Sequence, residues 1–228
     1  MSLGRSDAAR KSILARIRKA QGRGADSRQD LHPSQSELEA ASTYLRAHPR
    51  GPMPPVDGDL VARFRACAES MQSSTEAVAA IADAPAAVAR YLKDHKLPMR
   101  GCVWPALAQL AWAGAGIDVA PGPAQDTDLL GITGAFAAIA ETGTLMTVSG
   151  VESPGSVSLL PETHVAVVSA RRIVAHMEDA WALLRAELGE PPRAVNFISG
   201  PSRTGDIEQT IVLGAHGPYR VHIVIALH

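Results

Sequence analysis

Three short stretches in the second half of the chain combine a chemically active side chain with glycine and hydroxyl neighbours. The first is Ala140-Glu141-Thr142-Gly143-Thr144. It lies between two brief apolar runs, 136–140 and 145–148, and reads as a tight hairpin with a carboxylate and two hydroxyls at its tip. Glu141 there could be a nucleophile or a general base if its surroundings raise its pKa. The plainer reading is a solvated Glu on a turn whose Thr142 and Thr144 merely suit a strand. The second stretch is Leu159-Leu160-Pro161-Glu162-Thr163-His164, ahead of the apolar run 165–169. His164 could be an acid or base, a metal ligand or a donor to a ligand oxygen. A lone His at a strand entrance is also a common structural residue. The third runs from Ser199 to Gln209, after an expected strand and before an expected helix. Gly200, Ser202, Thr204 and Gly205 free backbone N–H groups to point outward, and a helix N-terminus adds positive potential. Arg203 offers a planar fork suited to a carboxylate or phosphate. Together these make the recipe for an oxyanion pocket. Asp206 and Glu208 put negative charge into the same loop, so Arg203 could pair with Asp206 instead, and Asp206 with Gln209 resembles a helix-capping arrangement.

A fourth turn, Leu213-Gly214-Ala215-His216-Gly217-Pro218, places His216 where it could line the same crevice. His164, His216, Asp206 and Glu208 lack any metal-ligand spacing, so no metal site is expected. The third loop has neither the Gly-Lys-Ser/Thr ending of a P-loop nor a G-x-G-x-x-G pattern, which argues against nucleotide hydrolysis and dinucleotide binding. In open α/β sheets ligands bind at the carboxyl ends of strands, and the crevice is expected there.

The elements that must position these residues alternate between helix and strand. Leu60, Val61, Phe64 and Cys67 suit a helix. Residues 77–93 read as mostly helical, with Pro85 near the start of the second part. Runs at 101–104, 116–119, 129–133, 165–169, 194–198 and 221–227 read as strands, and Met177, Ala180, Trp181, Leu184 and Leu188 form a helical stripe. The fold class is therefore α/β, a mostly parallel sheet with helices on both faces. Residues 56–228 form this domain, and residues 1–55 are a helical extension and linker. A basic amphipathic helix is expected over 5–20, either a docking element or a solvated face. A second is expected over 36–47, with Ser36 as its cap ahead of Glu39.

Composition narrows the function classes. The chain has 228 residues with 46% hydrophobic residues and a net charge of -1, so no global attraction to nucleic acid or anionic membrane is expected. Aromatic residues are 4%, too few for base-stacking platforms. Two cysteines, Cys67 and Cys102, exclude a disulfide framework and a four-thiolate cluster made by this chain alone. No apolar run spans a bilayer and no secretory signal is visible, so the expected location is the cytoplasm. A homo-oligomer is compatible with all of this.

Taken in order, the four motifs resemble those of the LUD-domain family of lactate-utilization proteins, over roughly residues 56–228. The resemblance implies a fold similar to the sugar-phosphate isomerase and coenzyme A transferase superfamily (NagB/RpiA/CoA-transferase-like). It also implies a part in oxidising L-lactate to pyruvate beside iron–sulfur partner proteins, with no cofactor in this chain. By analogy with that superfamily, Glu141 is the nucleophile candidate, and the Ser202–Asp206 loop is the cradle for a small carboxylate or related anion. Fold does not fix function. Two alternatives stand beside this one. One is an independent enzyme acting on an acyl-CoA or phosphorylated metabolite through Glu141. The other is a non-catalytic assembly protein whose basic N-terminal helix docks on partners.

Overall fold

The computed structural model describes residues 3–20, 33–205, 211–214 and 216–228. The chain divides into two compact units, Met1–Pro52 and Met53–His228. The first contains α1 (Leu3–Ala20) and α2 (Gln35–Ala47). On α1 the apolar residues Ile13, Leu14 and Ile17 are exposed, and α2 has no buried residue. The cap of α2 is Ser34 rather than Ser36. Its side chain accepts from the Glu37 N–H while the Glu37 carboxylate accepts from the Ser34 N–H, a reciprocal box two residues earlier than Ser36 and Glu39 would make it.

The second unit holds α3 (Leu60–Ser70), α4 (Ala84–Asp94), the short α5 (Ser156–Leu159) and α6 (Met177–Leu188). Six strands make its main sheet: β1 (Ser74–Val78), β2 (Arg100–Val103), β3 (Asp118–Pro121), β4 (Leu130–Gly134), β7 (Thr163–Ser169) and β12 (Arg220–Ala226). Their order is β1-β12-β7-β4-β2-β3, and every pair is parallel. A smaller sheet has the order β8-β5-β6-β9, from β5 (Ala137–Ile139), β6 (Thr144–Val148), β8 (Ile173–Val174) and β9 (Val195–Ile198). A two-stranded ribbon joins β10 (Arg203–Gly205) to β11 (Ile211–Leu213).

Strand alternation sorts the core. One face of the main sheet sends Val165, Val167 and Val224 against α4. The other sends Ala166, Val168 and Ile223 against Phe64 and Ala68 of α3 and against Ala138 and Leu145 of the small sheet. The far face of the small sheet is covered by Ala180 and Leu184 of α6. The parallel α/β architecture is as expected, with one face of the main sheet shared between a helix and a second sheet. Residues 77–93 are less helical than their alanine content suggests. Ser74–Val78 forms the edge strand β1 and pairs with β12, so sheet pairing overrides local propensity there.

Two histidines lie inside this packing. His164 of β7 is fully buried opposite Gly131 of β4, with Nε2 2.7 Å from Thr133 Oγ1. His222 of β12 is stacked on Tyr91 of α4 (centroids 3.9 Å apart, planes at 4°), with Nδ1 2.8 Å from Ser74 Oγ. Burial lowers the pKa of each to about 4. The unfolded chain titrates near 6.5, so on acidification it takes up protons before the folded protein does. Stability from these two residues is complete above that value and is lost as pH falls toward 4. Denaturant unfolding at pH 7.5 and 4.5 is expected to differ by on the order of 2–3 kcal/mol per histidine. In His222→Phe, which keeps the stack on Tyr91, the difference should shrink by that share.

Candidate functional site

The hairpin between β5 and β6 turns through Glu141, Thr142 and Gly143. Gly143 has φ +66°, and its N–H closes the turn on Ile139 O at 2.9 Å. A Cβ at this position would lie 2.2 Å from the Ala68 nitrogen, so the tip rests directly on the backbone of α3. Just after β9, Gly200 makes the same kind of contact. Its φ is +79°, and a Cβ there would lie 2.1 Å from Met71 O, at the C-cap of α3. Two loops more than fifty residues apart in sequence are thereby pinned to consecutive turns of one helix.

This gathers three kinds of polar group, hydroxyls, a carboxylate and a guanidinium, at the end of α3. Thr142 Oγ1 is 2.7 Å from Thr144 Oγ1, which is 2.7 Å from Ser199 Oγ. The chain of hydroxyls runs from exposed Thr142 through buried Thr144 to exposed Ser199. Glu141 is half-buried; its N–H donates to Ala175 O at 3.0 Å, and its carbonyl accepts from the Cys67 thiol at 3.5 Å. Arg203 is exposed and donates one Nη2 hydrogen to Met71 O at 2.9 Å, capping the negative end of α3. Its remaining N–H groups meet no carboxylate among the described residues, because Asp206 and Glu208 lie outside them. Ser202 joins the loop to the last turn through its N–H on Pro218 O and its carbonyl under the Gly214 N–H, both 2.9 Å. His216, in that last turn, is exposed.

Several expectations change. Residues 203–205 are not a helix start, and the capping arrangement expected of Asp206 and Gln209 lies outside the described residues. Arg203–Gly205, with Thr204 opposite Val212, is a ribbon strand, so among the described residues no helix dipole serves this loop. The β-branched residues Thr204, Ile211 and Val212 suit such pairing. His164 does not join Glu141 and Arg203. It is enclosed in the sheet, its Nε2 engaged by Thr133 and its neutral form favoured by burial, so it is a core residue. The cluster also lies toward the amino ends of the main-sheet strands, since α3 ends where β1 begins and the 214–218 turn leads into β12. The usual crevice, at the carboxyl ends of β2 and β4 where strand order reverses, is filled by Trp104. Its indole packs 3.4 Å from where a Gly134 Cβ would stand, and its Nε1 donates to Pro154 O at 3.0 Å. Cys102 is buried beside it, and burial pushes its thiol up to about 12, which makes it inert.

Sequence reasoning gives no role to Ser199, though a hydroxyl directly after a strand was the available signal. Among the described residues no group of three or more His, Cys, Asp or Glu side chains is arranged to hold a metal ion. No described helix is long and apolar enough to cross a membrane.

Residues 125–226 match the LUD domain. All four sequence motifs fall inside that matched segment, and the resemblance they carry is borne out. The chain is 34% identical to lactate utilization protein C of Bacillus licheniformis over 99 residues, covering 42% of this chain and 41% of that protein. It is 40% identical to lactate utilization protein C of Halalkalibacterium halodurans over 99 residues, covering 42% and 43%. For lactate utilization protein C of Bacillus subtilis the figures are 36%, 42% and 41%. The match thus spans about two fifths of the length of these relatives. The fold is also that of a DUF162 family protein from Deinococcus radiodurans, with a TM-score of 0.56 and 22% identity over 76% of this chain and 99% of that one. The matched segment supplies the hairpin tip and the Ser199–Arg203 loop, whereas α3, on which both rest, lies before it.

The backbone contact at the tip can be checked directly. Gly143→Ala combines a left-handed φ with a clash against Ala68, and is expected to cost about 2–4 kcal/mol in denaturant unfolding. Thr142→Ala, on the exposed side of the same turn, should stay within about 1 kcal/mol of the unsubstituted protein.

Proposed function

We propose that this protein serves lactate utilization by holding a small 2-hydroxy acid at the junction of the hairpin tip, the Ser199–Arg203 loop and the last turn of α3. One observation carries this reading: Gly143 and Gly200 bring a carboxylate, a hydroxyl chain and a guanidinium onto one helix terminus. The names of the relatives supply the substrate class.

A 2-hydroxy acid presents two handles. Its carboxylate suits the Arg203 N–H groups that Met71 O does not take, with Ser199 or Thr142 as a further donor. Its hydroxyl suits Glu141, since an ionised carboxylate only accepts hydrogen bonds. A 2-oxo acid has a carbonyl at that position, which offers no hydrogen and faces Glu141 with a second acceptor. The site therefore favours lactate over pyruvate. Oxidising lactate to pyruvate removes two electrons and two protons. This reading gives the electron-accepting role to iron–sulfur partner proteins in the cytoplasm, and gives this chain the role of holding the acid.

Calorimetric titration of the purified protein with L-lactate and with pyruvate tests the proposal. L-lactate should bind and pyruvate should bind more weakly. Arg203→Ala should weaken L-lactate by at least about tenfold, in line with the roughly 1.5–3 kcal/mol of a hydrogen bond to a charged group. Absence of heat with either acid, or an unchanged affinity in Arg203→Ala, overturns it.

A further inference from the structure

We propose that α1 is a docking helix, seated in the groove beside the free edge of β3 on a second copy of this chain, so that two copies exchange their helices. This contact is independent of the ligand site.

The charge of the chain is divided. Met1–Pro52 carries 10 Lys and Arg against 5 Asp and Glu, a net of +5, whereas Met53–His228 carries 12 against 18, a net of -6. The overall charge of -1 therefore conceals a basic unit and an acidic one. Surfaces of opposite sign attract across copies, and the attraction also helps to set their register. α1 adds an apolar stripe to its charge. Ile13, Ile17 and Ala20 fall at i, i+4 and i+7, and Arg16 and Lys19 line the same face. Ile13 is 56% exposed and Ile17 48%, so the stripe is uncovered among the described residues.

The acidic unit carries a matching surface. β3 ends the order of the main sheet, and among the described residues it pairs with β2 alone. An unpaired strand edge is a liability that folds commonly cover with a helix or a loop. Pro121 takes one donor from this edge, so an added strand fits it poorly and the neighbouring groove is the better contact. That groove is a hollow of about 380 Å³, lined by buried Trp112 and Ile117, half-buried Leu110 and Val119, and exposed Ala108 and Asp118. Its apolar lining suits the ends of Ile13 and Ile17, and the Asp118 carboxylate suits Arg16 or Lys19. Every copy has both halves of the contact, so the exchange is self-complementary and closes as a twofold dimer. One helix in one groove is a small contact; exchange makes two, toward the roughly 1,200–2,000 Å² of a stable interface.

Light scattering of the full chain during size-exclusion chromatography tests this. A dimer is expected in about 0.1 M salt, with partial dissociation in about 1 M, where exposed charges are screened. Ile13→Asp with Ile17→Asp should leave a monomer. Ala108→Arg, which fills the groove from an exposed position, should do the same. Asp118→Lys should weaken the dimer at least about fivefold. Adding Arg16→Glu and Lys19→Glu to Asp118→Lys should restore it, which a folding defect would not allow. A monomer in the unsubstituted chain overturns the proposal, and sedimentation of that monomer with vesicles of anionic phospholipid would assign the helix to a lipid surface instead. A dimer that survives the Ile13 and Ile17 changes, or survives Ala108→Arg, overturns the surfaces named. A charge swap that fails to restore the dimer overturns the role of Asp118.

Discussion

The arrangement of this domain depends on two points where backbone touches backbone. A hairpin tip and a loop can settle on the last turns of a helix only if no side chain intervenes, and Gly143 and Gly200 meet that condition against Ala68 and Met71. Hydrophobic burial brings the small sheet and α3 together through Leu145, Ala138 and Phe64, but such contacts tolerate small shifts in position. The glycine contacts do not. They set how deeply the small sheet sits on α3, and so they set the spacing between Glu141, Thr144, Ser199 and Arg203.

The main sheet shows the opposite economy. Its interior is apolar apart from a few polar groups such as His164, His222, Thr133 and Thr163, and the two histidines are neutral, each bonded to a hydroxyl. At the strand-order reversal, where this class of sheet often leaves a hollow, Trp104 is packed over Gly134 and tied to Pro154. The polar cluster stands at the other rim, where the chain enters β1 and β12.

Much of the fold could be read from residue order. Runs such as Val165–Ser169 and Val221–Leu227 are apolar on both faces, as strands inside a parallel sheet must be, and the stripe through Ala180 and Leu184 marks α6. β1 could not be read, because Ser74–Val78 has weak strand propensity and owes its conformation to pairing with β12. The site was legible in its pieces. Glu141, Thr142, Thr144, Gly200 and Arg203 were marked by residue type, and the structure assembles them. Their meeting place was not legible, because α3 contributes backbone atoms there and backbone atoms leave no trace in residue identity. His164 was drawn into the site by its chemistry alone; burial, which depends on Val221 and Gly131 flanking it in the sheet, removes it.

The line of hydroxyls from Thr142 to Ser199 has a property that no single member has. Thr144 owns one hydrogen, so it cannot donate to both of its neighbours at once. When it donates toward Thr142, Ser199 can donate into it, and the polarity of the line runs one way. When it donates toward Ser199, the polarity runs the other way. Such chains strengthen when all their members point in one sense. A molecule that touches one end therefore decides, through two intervening protons, whether the far end offers a hydrogen or a lone pair.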